Sequence, residues 1–136
     1  LHRLIRRQRQ MCIRDRVYPN VPREKLIEVA SSSRVFIHAA KEEHFGIAVV
    51  EGMALGLPVI VHRSGGPYMD IIGRGKYGLS YTTLGELADH IDLLHGEPNT
   101  WRSMHDLSLK RCMDFDSELF EKNIKRIIRK LVVHSF

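Results

Sequence analysis

The sequence lacks the features of membrane-spanning, disulfide-rich and metal-binding proteins. Only two cysteines, Cys12 and Cys112, occur among its 136 residues, and they form no CxxC pair. The eight histidines show neither HxH nor HxxxH spacing. No apolar run approaches the roughly 20 residues that a membrane-spanning helix needs, and no apolar signal-peptide segment follows the N-terminus. These absences predict free thiols in a reducing compartment and no metal site.

The excess of positive charge lies entirely in the N-terminal tail. Residues 1–16 contain six arginines and one aspartate, whereas the rest of the chain carries equal numbers of basic and acidic side chains. An arginine-rich arm can bind nucleic acid or an anionic membrane. The tail also resembles the translated sequencing-adapter string found at the ends of environmental gene assemblies. We therefore treat residues 1–16 as a non-native tail, and expect the true chain to extend further upstream with different residues.

Short apolar segments alternate with amphipathic ones from residue 17 onward. Strands are predicted at residues 34–39, 58–61 and 78–81. Helices are predicted at residues 22–31, 46–55, 84–94, about 100–113 and 117–131, with one helical turn at 68–72. This order predicts an α/β fold, a partial Rossmann-like parallel sheet with flanking helices and further C-terminal helices. Because a self-sufficient doubly wound sheet has more strands, residues 17–136 are expected to form only part of a domain.

Two glutamates, Glu43 and Glu51, flank a segment that could bind a sugar nucleotide. Glu43 follows the first predicted strand, at the carboxyl edge of the sheet, where α/β folds bind ligands. The helix predicted from Gly46 directs its free N–H groups to the same edge, and helix N-termini favour anions such as a diphosphate. Glu51 could accept hydrogen bonds from ribose hydroxyls, and Glu43 from sugar hydroxyls. Two exposed glutamates beside a helix are also a common structural arrangement.

The same segment resembles the donor-binding signature of GT-B-fold glycosyltransferases of family 4. The resemblance covers residues 17–130 and rests on the Glu43-x7-Glu51 pair, on GMALGLPVI at residues 52–60 and on VHRSGGPYMDII at residues 61–72. The combination of EHFGI with SGGP is similar to the α-1,2-mannosyltransferases that extend the lipid-linked oligosaccharide of N-glycosylation. The resemblance implies the C-terminal, nucleotide-sugar-binding domain of a GT-B fold.

The resemblance also implies site roles. Glu43 would be the catalytic-site residue that contacts the donor sugar, and Glu51 would bind the nucleotide ribose. The sugar hydroxyls and the diphosphate would be met by four consecutive residues, His44, Phe45, Gly46 and Ile47. Further contacts could come from the loop Ser64, Gly65 and Gly66, which could equally be a tight turn. The enzyme would be retaining, would need no metal and would use a GDP-sugar or a UDP-sugar.

Other parts of such an enzyme would lie upstream of this segment. They are the basic pair that neutralises the diphosphate, the acceptor-binding N-terminal domain and its catalytic-site histidine. Neither His62 nor Arg63 is assigned those roles, and His62 is expected to be structural. The basic side chains of the last predicted helix could form a solvated face or a membrane-facing one. The resemblance implies a glycan or lipid-linked acceptor, and a cytoplasmic enzyme or one at the cytoplasmic face of a membrane.

Three other functions remain open from the sequence. They are a non-catalytic sugar-nucleotide-binding module, a GT-B-related sugar-nucleotide epimerase and a nucleic-acid-binding protein. The last rests only on the tail, so no nucleic-acid partner is expected. The Glu-x7-Glu pair with Phe45-Gly46 favours a hexosyltransferase. This chain would be its donor-binding half, and we expect it to be inactive without the other domain.

Overall fold

The structure is a computed structural model that describes residues 16–133. The arginine-rich tail through residue 15, including Cys12, lies outside the described residues, so its predicted non-native origin stays a prediction. Cys112 is a half-buried free thiol. The described helices are α1 (Arg23–Ser31), α2 (Ile47–Ala54), α3 (Leu84–Gly96), α4 (Pro98–Cys112) and α5 (Ser117–Val133). The described strands are β1 (Phe36–His38), β2 (Val59–His62) and β3 (Leu79–Tyr81), and a π-helical turn lies at Pro67–Ile71.

The three strands form one parallel sheet in the order β1-β2-β3. Phe36 lies opposite Val59, and Ile60 lies opposite Leu79. The predicted α/β class and parallel sheet are confirmed. β2 is buried along its apolar length, as expected for a central parallel strand. β1 is less buried than predicted, with Ile37 42% exposed, because only one of its edges is paired among the described strands.

Alternation along β2 divides the core between the two faces of the sheet. Val59 and Val61 pack on one face, in a cluster that includes residues of α2. Ile60 packs on the other face with Leu94 of α3. The second cluster also draws Trp101 from α4, so α4 contributes to the cover of that face. The short strands are therefore held mainly by helices packed on both sides.

Two helices differ from their predicted starts because of proline. Pro22 was expected in the first helical turn, but it precedes α1 with an extended ψ of 155°. Its carbonyl accepts the N–H groups of Lys25 and Leu26. α4 begins two residues before its predicted start at about residue 100, because Pro98 occupies the first helical position, where its missing N–H costs nothing.

The outer helices leave apolar side chains exposed. α1 buries none of its residues, and Leu26 of its apolar face is 54% exposed. On α5, Phe120 is 67% exposed and Ile128 is 53% exposed. Within residues 16–133, no helix is both long and apolar enough to cross a membrane.

Arg111 of α4 connects the helical layer to the turn behind the carboxyl edge of the sheet. Its Nε donates to the carbonyl of Ile71 at 2.9 Å, and its Nη2 donates to the carbonyl of Asp70 at 2.6 Å. The guanidinium also lies 4.4 Å from the ring centroid of Tyr77 and 4.6 Å from that of Phe115. One side chain thus satisfies carbonyls at the end of the π-helical turn and packs between two aromatic rings.

Replacing Arg111 with methionine should lower the free energy of unfolding by about 1–3 kcal/mol, because the carbonyls of Asp70 and Ile71 lose their charged donor. Urea unfolding followed by circular dichroism measures the change. The matched control is Lys110→Met on the exposed side of α4, for which a change within about 0.5 kcal/mol is expected. Equal losses in the two variants would contradict the role given to Arg111.

Candidate functional site

The loop after β1 brings Glu43 to the N-terminus of α2. The Glu43 carboxylate hydrogen-bonds through Oε2 to Nε2 of His38, the last residue of β1. A Cβ placed on Gly46 would lie 3.6 Å from the same Oε2. The carboxylate therefore lies beside the first turn of α2, at the carboxyl edge predicted from the sequence.

Gly46 occupies a position that only glycine fits well. It precedes α2 with a left-handed φ of 89°, and no side chain caps this N-terminal end of the helix. A Cβ here would also come within 2.7 Å of the Pro67 ring. The Val49 N–H donates to the Gly46 carbonyl at 2.9 Å, but among the described residues the N–H groups of Ile47 and Ala48 have no acceptor, so this end of α2 can receive an anion. The predicted helix at the site is confirmed, and it begins at Ile47.

The four consecutive residues that the sequence predicts as donor contacts stay together at this edge. His44 is exposed, Phe45 is 42% exposed and Ile47 is 61% exposed, whereas Gly46 is buried. Phe45 packs edge-on against Phe115, with ring centroids 5.8 Å apart. That contact fixes one side of the aromatic ring and leaves the other accessible. Whether these residues touch a donor stays a prediction.

The loop of Ser64, Gly65 and Gly66 packs directly on the backbone of the Glu43 loop. The Gly66 N–H donates to the Glu43 carbonyl at 2.8 Å, and Ser64 Oγ accepts the Glu42 N–H at 3.1 Å. A Cβ on Gly66 would lie 2.0 Å from the His44 carbonyl oxygen, and one on Gly65 would lie 2.3 Å from that of Glu43. The glycines therefore allow two backbones to approach closely, a role that sequence reasoning missed.

His62 supports this loop from the end of β2. Its Nδ1 lies 2.8 Å from Ser64 Oγ, and its ring meets Tyr81 edge-on with centroids 5.6 Å apart. These contacts agree with the structural role predicted for His62.

Glu51 lies further along α2 and pairs with a residue that the sequence did not indicate. Its Oε1 accepts from Arg23 Nη1 at 2.9 Å, and Arg23 opens α1. Arg23 and Glu51 both border an apolar groove between α1 and α2, which also contains Phe36 and Leu26. No spacing rule connects residues so far apart in the chain. His38 was missed as well, although a polar residue ending an apolar strand is a signal that could have found it.

Arg63 follows β2 at the same edge, but it is engaged by β3 and α3. Its Nε donates to Ser80 Oγ at 3.3 Å, and its Nη2 lies 3.7 Å from Glu86. Glu86 also accepts the N–H of Thr82 at 2.6 Å and completes a capping box with Thr83. Hydrogen bonds from the Thr82 N–H first, then from its hydroxyl and from the Thr83 N–H, lower the pKa of Glu86 to about 2. Among the described residues, no group of three or more His, Cys, Asp or Glu side chains could hold a metal ion.

The lowered pKa of Glu86 predicts a pH-dependent contribution to stability. A carboxyl whose folded-state pKa lies near 2 and whose ordinary pKa is 4.5 stabilises the fold above that ordinary value. The contribution is lost as the pH falls towards 2. The urea midpoints of the wild type and of Glu86→Gln should therefore differ most at pH 6 and converge progressively as the pH falls from about 4.5 towards 2. A difference that stays constant from pH 6 to pH 2.5 would contradict this assignment.

A methyl group on Gly66 tests the close approach of the two loops. Gly66→Ala should lower the free energy of unfolding by about 1–3 kcal/mol, because the added Cβ meets backbone that cannot rotate away. Gly96→Ala is the matched control, since a Cβ there meets nothing within 4 Å. Thermal unfolding of both variants measures the effect. The packing account fails if Gly66→Ala is as stable as Gly96→Ala.

The family of this chain follows from its similarity to known proteins. Residues 7–108 match the family model described as glycosyl transferases group 1. The chain belongs to the group 1 glycosyltransferases. The three-stranded parallel sheet with its helices is consistent with the C-terminal, Rossmann-like domain of a GT-B fold.

Curated relatives of this glycosyltransferase chain include two enzymes described as GDP-Man:Man(3)GlcNAc(2)-PP-Dol alpha-1,2-mannosyltransferase. The Xenopus laevis protein is 45% identical over 53 residues, which cover 39% of this chain and 11% of that protein. The Dictyostelium discoideum protein is 29% identical over 112 residues, covering 82% of this chain and 22% of that protein. A sucrose synthase of Acidithiobacillus caldus is 32% identical over 108 residues, covering 74% and 14%. The chain thus spans only a small part of these relatives.

Proposed function

We propose that this chain is the donor-binding part of a retaining hexosyltransferase. The enzyme would transfer a hexose from a nucleoside-diphosphate sugar to a lipid-linked or other glycan acceptor. The observation that carries the proposal is the position of the Glu43 carboxylate beside the uncapped N-terminus of α2, at the carboxyl edge of the sheet. An anion site and a carboxylate that can accept sugar hydroxyls are thereby adjacent.

The proposed chemistry is mainly electrostatic. As the bond between sugar and diphosphate breaks, negative charge grows on the leaving group and positive charge grows on the sugar carbon. The first N–H groups of α2 would face the leaving diphosphate, because helix N-termini stabilise negative charge. Glu43 would contact the sugar near the carbon that develops positive charge. Glu51 would bind the ribose hydroxyls through the carboxylate that it shares with Arg23. We expect no metal cofactor.

The relatives favour GDP-mannose as the first donor to test. The Xenopus and Dictyostelium enzymes are described as GDP-Man-dependent mannosyltransferases with a dolichol-linked acceptor. Transfer of mannose to a lipid-linked glycan, at the cytoplasmic face of a membrane, is accordingly the narrower form of the proposal. UDP-sugars are the alternative donors to test.

The neighbouring glutamates Glu42 and Glu43 provide a matched test of the catalytic site. In the complete enzyme that carries this chain, Glu43→Gln should lower kcat for hexose transfer by about a hundredfold or more, because a charge near the reacting sugar is lost. Glu42→Gln should retain activity within about threefold, since surface substitutions away from such contacts have small effects. Initial rates with GDP-mannose and with a UDP-hexose measure both variants.

Four results would count against different parts of the proposal. Full activity of Glu43→Gln would remove the role given to Glu43. Binding of the sugar nucleotide by the wild type without any transfer would favour a non-catalytic binding module. Inversion at C2 of the sugar within the free nucleotide would favour an epimerase. Turnover by the 136-residue chain alone would show that the second domain is not needed.

A further inference from the structure

His38 lies at a rigid point of the fold, directly beneath the candidate site. It ends β1, where its backbone lies opposite Val61 of β2 in the parallel register. Its side chain is 15% exposed, and its ring is nearly parallel to that of Phe36, with an interplanar angle of 11°. The imidazole is therefore carried by a strand of the sheet, is largely covered and lies alongside a neighbouring ring.

Glu43 lies on a loop and needs such an anchor. Its side chain is 36% exposed, and the preceding Glu42 has a left-handed φ of 55°. A glutamate in this setting has several rotatable bonds, and fixing them costs conformational entropy. The hydrogen bond to His38 Nε2 selects one arrangement of the carboxylate, with Oε2 against Gly46. Among the described residues, Oε1 makes no hydrogen bond.

We propose that His38 is a positioning residue, which holds Oε2 of Glu43 and leaves Oε1 to accept a hydrogen bond from the donor sugar. This inference rests on the proposed function. The Nε2–H group donates to the carboxylate, so the proton must lie on Nε2. His38 itself does not touch the sugar in this arrangement. Its loss should impair use of the sugar part of the donor more than binding of the nucleotide part.

Three substitutions of His38 separate positioning from packing. In His38→Gln, the side-chain amide can place an N–H donor near the position of Nε2. In His38→Asn the shorter amide corresponds to the position of Nδ1, and His38→Leu has no donor. The complete enzyme should lose about tenfold or more in kcat with Leu or Asn, because the reacting group is displaced. Glutamine should restore most of that loss. Inhibition by the free nucleoside diphosphate, GDP or UDP, should stay within about twofold in all three variants.

Nuclear magnetic resonance of the 136-residue chain tests the His38–Glu43 hydrogen bond directly. With ¹⁵N-labelled histidine, the His38 ring should show a protonated Nε2 whose resonance shifts when Glu43 is changed to glutamine. Glu42→Gln is the control and should leave that resonance unchanged. An unchanged His38 resonance in Glu43→Gln would overturn the proposed pair, whether or not any enzyme variant folds well.

The kinetic outcomes distinguish this inference from the proposed function. Equal kcat values for the wild type, His38→Leu and His38→Asn would overturn the positioning role while the transferase function stands. A parallel loss of kcat and of nucleoside-diphosphate inhibition would also overturn it, because that pattern reports general damage to the domain. A wild-type enzyme that neither binds nor turns over a sugar nucleotide would refute the proposed function and this inference together.

Discussion

The close backbone contact between two loops is the constraint on which the candidate site depends. Gly65 and Gly66 approach the carbonyl groups of Glu43 and His44 so closely that no Cβ fits between them. The hydrogen bond from the Gly66 N–H to the Glu43 carbonyl fixes the loop at the residue proposed to contact the donor sugar. The loop that carries Glu43 is thereby held by neighbouring backbone and does not depend on its own side chains for its shape.

The contact between the two loops is supported by packing on both sides of the sheet edge. Behind it, the π-helical turn that begins at Pro67 is tied to α4 through Arg111, whose guanidinium binds the carbonyls of Asp70 and Ile71. In front, the Pro67 ring packs where a side chain at Gly46 would otherwise lie. The N-terminus of α2 is therefore positioned by packing, and the N–H groups of Ile47 and Ala48 remain available for an anion, whereas that of Val49 donates to the Gly46 carbonyl. Rigid support of this kind is what electrostatic stabilisation of a leaving group requires.

The sequence was sufficient for the order of elements and for placing Glu43 at the carboxyl edge of the sheet, but not for the contacts around it. Apolar runs such as VIV at residues 59–61 predicted buried strands because burial follows directly from composition. Glu43 was predicted at the carboxyl edge of the sheet for a different reason, namely that it follows one of these strands. By contrast, the Arg23–Glu51 pair joins α1 to α2, and no local pattern records which distant side chain a carboxylate will meet. The partial exposure of β1 follows from its place in the sheet, which a single strand cannot reveal.

Three arginines around the site are already engaged, and this constrains how a diphosphate could be bound. Arg23 pairs with Glu51, Arg63 contacts Ser80 and Glu86, and Arg111 binds backbone carbonyls. Drawing any of them towards a phosphate would break a contact that holds α1, α3 or the π-helical turn in place. Sugar and ribose hydroxyls are neutral donors, so they could share Glu43 and Glu51 without displacing His38 or Arg23. Within the described residues, the N–H groups of Ile47 and Ala48 at the start of α2 could bind a diphosphate without breaking any of these contacts.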